Sequence, residues 1–222
     1  MKFAAVAFDL DGTLYPDLSL FVRLVPFLAK EHRLLNAMNH ARMRLRRTAA
    51  YEGDFYELQA RIMAEILNEE PKKVLERLER LVYRGWEPFF KKIRLFPHVR
   101  ETLDTFQKNG IRMGLLSDFP PVTKLDNLGI LEYWDTVICS EQCGKLKPDP
   151  FPFTELVRKM ALPAGDILYV GNSVPYDMIG ARGVGMRTAL VRAWSFSSGR
   201  RFSGVADFVF RDYRQLRDYV LG

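Results

Sequence analysis

Cysteine is nearly absent from this chain of 222 residues, with Cys139 and Cys143 the only two. That is too few for the disulfide framework of a small secreted domain, and it leaves a reducing, cytoplasmic setting as the expectation. Two thiolates cannot complete a structural zinc site, and their C-x3-C spacing is not the C-x-x-C of redox pairs. No apolar run approaches the roughly 18 residues needed to span a bilayer. The apolar stretch at residues 3–8 ends at Asp9, too soon for a signal sequence, so a soluble, unprocessed chain without a membrane partner is expected. Gly (15) and Pro (12) stand near average usage, which excludes collagen-like and low-complexity architectures. Acid is scarce in one region: residues 23–47 carry Arg23, Lys30, Arg33, Arg42, Arg44, Arg46 and Arg47 against Glu31 alone. That stretch accounts for the whole net charge of +6. It suits a phosphorylated metabolite, a membrane surface or nucleic acid, or it is a solvated helix face.

What is present is ordinary globular composition, 48% hydrophobic and 27% charged, enough for one large domain or two small ones. Residues 3–8 (FAAVAF) read as a strand buried on both faces, and similar runs recur at 111–116, 136–138, 167–170, 188–191 and 208–210. Helical patterns at 99–108, 153–160, 177–182 and 213–220 separate them, which predicts a doubly wound α/β fold with a parallel sheet. From about residue 15 to 93 no buried-strand run occurs. Here Leu34, Met38, Ala41 and Leu45 form one stripe and Phe55, Leu58, Ile62 and Ile66 another, behind a capping box at Asp54 and Glu57. Pro71 opens a helix bearing Leu75, Leu78 and Leu81 or Val82. The interval predicts a separate helical module above the strand ends.

In open α/β sheets ligands bind beyond the carboxyl ends of the strands. The segments that follow the strands carry Asp9-Leu10-Asp11-Gly12-Thr13, Ser117-Asp118, Lys145 to Pro150, and Gly171-Asn172-Ser173 with Asp177. Asp9 and Asp11 are close enough to repel, which raises one pKa unless a cation lies between them. Taken alone, D-x-D-G-T also serves as a turn, and Asp177 as a helix N-cap.

In order and spacing these four segments resemble the motifs of the haloacid dehalogenase superfamily. The resemblance implies a Rossmann-like core from residues 1–14 and 95–222 with an inserted helical cap at 15–94. It further implies a phosphomonoesterase that uses Mg²⁺ and acts on a small phosphorylated metabolite. Asp9 would be the nucleophile, Asp11 the general acid and base, and Ser117 and Lys147 the phosphoryl-binding groups, with Gly12, Thr13 and Asp118 beside them. Asp9, the Asp11 carbonyl, Asn172 and Asp177 would hold the metal. Members that attack carbon lack the second acid, so Asp11 favours phosphoryl transfer. Asn172 stands where an acid is more usual and should weaken metal binding. Asp118 stands where asparagine is commoner.

Arg42 falls near the apolar face of its helix and is a candidate for substrate contact; the alternatives are a pair with a cap acid such as Glu65 or Glu69, or a place along the surface with its stem buried. Tyr15 is a candidate for the hinge or the substrate wall. A phosphomutase, and a non-catalytic anion- or nucleic-acid-binding protein using Arg42, Arg44, Arg46 and Arg47, are the less favoured readings. The oligomeric state is not legible.

Overall fold

The computed structural model describes residues 2–48, 53–192, 204 and 206–222, with only part of the side chains between residues 19 and 28. Among these, six strands form one parallel sheet: β1 (Ala5–Phe8), β2 (Arg112–Ser117), β3 (Thr136–Cys139), β4 (Ile167–Gly171), β5 (Arg187–Val191) and β6 (Phe208–Phe210). Their order is β3-β2-β1-β4-β5-β6, so β1 is central and the order reverses beside it. The expected strands are all present, with ends displaced by a residue or two; Phe3 and Ala4 precede β1 and Ser117 closes β2.

Alternation across the strands divides the core. Val6 and Phe8 face Leu103 and Phe106 of α6 (Val99–Lys108) and Tyr213 and Leu216 of α10 (Tyr213–Leu221). Ala5 and Ala7 face Phe153, Leu156 and Met160 of α8 (Pro150–Met160). Small residues on that face leave room for the helix to approach, and each large side chain buried contributes about 1.5–3 kcal/mol.

Between β1 and β2 the chain is helical: α1 (Asp17–Lys30), α2 (His32–Arg47), α3 (Phe55–Leu67), α4 (Pro71–Leu78) and α5 (Glu87–Phe90). Leu34, Met38, Ala41 and Leu45 are buried as the spacing predicts, in a cluster with Phe55, Ile62, Met63, Val74 and Leu78. The Asp54 carboxylate caps α3, accepting from the backbone N–H groups of Tyr56 and Glu57. Ile66 is a correction: it is 50% exposed, and Met63 and Leu67 take the buried face instead. Beyond α4 a π-helical turn, Glu79–Tyr83, shifts the phase so that Val82 is buried and Leu81 only partly so. Leu146, from the loop ahead of Lys147, belongs to the same cluster and joins this helical segment to the sheet edge. No helix among the described residues is long and apolar enough to cross a membrane.

Candidate active site

β1, β2 and β4 lie side by side, so the residues just past their ends converge. The backbone N–H of Asp9 still donates to the Val170 carbonyl at 2.9 Å, which holds Asp9 level with the end of β4. The Lys147 ammonium, buried, donates to Asp9 Oδ1 at 2.6 Å and to Asp177 Oδ1 at 2.7 Å. Thr13 Oγ1 donates to Asp9 Oδ2 at 2.7 Å, so both oxygens of Asp9 are oriented. Burial pushes the Asp9 carboxyl up to about 7; Lys147 opposes this and Asp177 adds to it. The two carboxylates hold the Lys147 ammonium well above the usual lysine range against the cost of its burial.

Asp177 reaches this position because Gly171 has no side chain: a Cβ there would sit 2.5 Å from the Asp177 carboxyl carbon. Asp177 is not an N-cap. It lies in a π-helical turn, Val174–Met178, that leads into α9 (Ile179–Gly183), and Ser173 is the cap, its Oγ accepting from Tyr176 N–H at 3.3 Å.

Asp11 is held by two residues. Lys124, on the short helix α7 (Val122–Asn127), donates to Asp11 Oδ1 and Oδ2 at 2.8 Å each, and the Tyr15 hydroxyl donates to Oδ1. Tyr15 is fully buried and packs edge-on against Phe90. Gly12 adopts φ +78°, and a Cβ on it would lie 2.0 Å from Asn172 Nδ2 and 2.4 Å from Asp17 Oδ2. Asn172 and Asp17 therefore meet over Gly12. The Asp17 carboxyl is pushed up to about 6, first by desolvation and then by Asp11, with Lys124 opposing.

Ser117 is fully buried, and its Oγ has no hydrogen-bond partner among the described residues. A buried hydroxyl left unpaired at the end of β2, the strand that neighbours β1, is suited to an oxygen of a ligand. Asp118 turns toward the helical segment. It pairs with Arg46 at 2.6 Å and Arg42 at 3.5 Å, and accepts from Ser140 Oγ and the Lys147 N–H. Burial pushes its carboxyl up, but Lys147, Arg42 and Arg46 outweigh this and hold it below the usual range.

Arg42 is buried, packs its guanidinium 4.1 Å over the Phe119 ring, and pairs with Glu141 and Asp118. Neither suggested partner holds it: Glu65 pairs with Arg44 and Glu69 with Arg77. Arg46 also donates through Nε to the Lys147 carbonyl at 2.9 Å. Three arginines of the basic stretch are thus committed to acids, and the Arg23 side chain lies outside the described ones.

Asp9, Thr13, Lys147 and Asp177 are bonded directly, Gly12 adjoins Asn172, and Asp118 reaches Lys147 through its backbone. Lys124, Asp17, Glu141 and the bridging role of Arg46 were not legible. Of these only Glu141 left a signal, an acid two residues past Cys139, where β3 ends.

For a divalent cation, no group of three histidine, cysteine or acidic side chains converges among the described residues. The donors on offer are two carboxylates, an amide and backbone carbonyls, all of them hard. That set fits Mg²⁺, which keeps several waters or substrate oxygens and needs only one or two carboxylates from the protein.

Residues 3–185 match the family model described as haloacid dehalogenase-like hydrolase. The chain is 31% identical to the glyceraldehyde 3-phosphate phosphatase of Methanothermobacter thermautotrophicus, over 97% of this chain and 99% of the relative. It is 29% identical to the phosphoglycolate phosphatase of Nitrosospira multiformis, over 88% and 86% of the two chains. Among solved structures, a HAD phosphatase from Thermococcus onnurineus aligns with a TM-score of 0.70 at 22% identity, covering 100% of this chain and 99% of that one. The L-2-haloacid dehalogenase of Xanthobacter autotrophicus aligns at 0.68 and 17% identity, covering 99% of both chains.

Proposed function

Because the chain belongs to the haloacid dehalogenase-like hydrolases, an enzyme family, we propose that it is a phosphomonoesterase for a small phosphorylated metabolite, working through Asp9. The observation that carries this reading is the junction of Asp9, Lys147 and Asp177, with the unpaired Ser117 hydroxyl at the end of the strand next to that of Asp9. Phosphatase names among relatives that span nearly the whole chain support it.

Thr13 and Lys147 fix the Asp9 carboxylate, and one of its oxygens attacks phosphorus in line as the bond to the leaving oxygen breaks. Asp11 supplies the proton that the departing alkoxide takes. In the second step it removes a proton from water, which attacks phosphorus and releases Asp9 as a carboxylate. Ser117 Oγ donates to a non-bridging oxygen and Lys147 balances its charge. Asp9, the Asp11 carbonyl, Asn172 and Asp177 would hold Mg²⁺, which supplies charge neutralisation between the nucleophile and an anionic phosphoryl group. The helical segment at 15–94 acts as a cap, bringing Arg42 and Arg46 against the loops that follow β2 and β3.

The experiment is phosphate release from 4-nitrophenyl phosphate with Mg²⁺. Asp9→Asn should lower turnover by about 1,000-fold or more while the circular dichroism spectrum is unchanged. Turnover retained in that variant would remove Asp9 as the nucleophile.

A further inference from the structure

The phosphomonoesterase reading leaves the alcohol half of the substrate open. A cavity of about 480 Å³ lies between the helical segment and the loop that follows β2. Tyr56, Tyr83, Trp86 and Phe90 line it from one side and Phe119 from the other. These rings already rest on one another: Tyr56 and Tyr83 at 5.4 Å between centroids, Tyr83 and Phe119 at 6.3 Å, Trp86 and Phe119 at 6.4 Å. The wall is therefore built before a ligand arrives.

One lining residue reaches the reaction centre. Lys124 donates to both oxygens of Asp11, and its ammonium lies 5.0 Å from the Phe90 ring centre and 5.2 Å from that of Phe119. The cavity thus adjoins the acid that serves the leaving oxygen, and whatever that oxygen carries has this space beside it. Of the other charged residues on the lining, Arg84 pairs with Glu79 at 2.8 Å, and Glu87 is itself anionic. A carboxylate or polyol entering here would give up water for aromatic walls and a like charge.

We propose that the substrate is the phosphate monoester of an alcohol bearing an apolar ring, and that the ring occupies this cavity. The proposal rests on the phosphomonoesterase reading. Its test compares 2-phenylethyl phosphate with ethyl phosphate, whose leaving alkoxides are alike, so that the difference reads the ring. Glycerol 3-phosphate and 2-phosphoglycolate stand as polar and acidic controls. The wild-type protein with Mg²⁺ should show kcat/KM about 100-fold higher for the phenylethyl ester than for the ethyl ester, the gain expected from burying one aromatic ring. Leu75→Glu puts a charge on the lining and should cut that ratio by about 10-fold or more.

Equal kcat/KM for the two esters, a preference for either control, or an unchanged ratio in folded Leu75→Glu would overturn the ring assignment and leave the phosphatase reading intact. No phosphate release from these four esters or from 4-nitrophenyl phosphate would overturn both. The wild-type comparison decides the matter even if the variant does not fold.

Discussion

Asp9 carries the electrostatic tension of the site. Its carboxyl is buried beside Asp177, and burial pushes it up to about 7 even though Lys147 donates to it. As the proposed nucleophile Asp9 has to be the carboxylate, so any proton bound there has to leave as a cation arrives. At pH 7 in weak buffer, Mg²⁺ should release a fraction of a proton per chain; the release should disappear about two pH units higher and in Asp9→Asn. A pH-stat titration measures it, and undiminished release in the variant would assign the proton elsewhere. The residues that produce this tension differ in how far the sequence announced them. Asp9, Lys147 and Asp177 follow strands whose apolar runs are plain to read, and strand ends are where an α/β sheet gathers its chemistry. Lys124 sits 113 residues from Asp11, on a helix of six residues with no periodicity to mark it. A contact of that range depends on tertiary packing, which local patterns do not encode.

Among the elements, α2 does most to join the helical segment to the sheet. Its apolar stripe was legible at helical spacing. The fate of its arginines was not, because their partners Asp118 and Glu141 lie on loops that follow β2 and β3. Arg46, half-buried beside the buried Arg42, is the more informative of the two: it pairs with Asp118 and also donates to the carbonyl of Lys147. Arg46→Ala should cost about 2 kcal/mol in urea unfolding, less than the 3–5 kcal/mol of stranding a buried charge, since Arg42 still faces Asp118. Turnover should fall as well, because the backbone of Lys147, which the proposed mechanism sets against the phosphoryl group, loses a support. A double-mutant cycle with Asp118→Asn should return a coupling near the single-variant cost; additivity within about 0.5 kcal/mol would show the pair to be idle.

For the molecule as a whole, these buried ions make stability depend on pH in two opposed ways. Burial pushes Glu141 up to about 7 from 4.5 in spite of Arg42. The folded chain therefore binds this proton more tightly than the unfolded one, and the contribution is full below about pH 4.5 and lost as pH rises through 7. Asp118, held low, contributes above its unfolded value of 3.8 and loses that contribution as pH falls. Between about pH 4.5 and 7 stability should thus decline with rising pH, and Glu141→Gln should flatten the decline. Urea midpoints across that interval test this; a slope equal to wild type would place the titrating group elsewhere.

Asp118 and the arginines opposite it also constrain descent. Asp118 balances two guanidinium groups; without it Arg42 keeps Glu141, whereas Arg46 has no second acid among the described residues, so a neutral residue 118 costs most at Arg46. Lineages in which residue 118 becomes neutral should have shed the guanidinium group at 46, and an alignment in which the two positions vary independently would contradict that history.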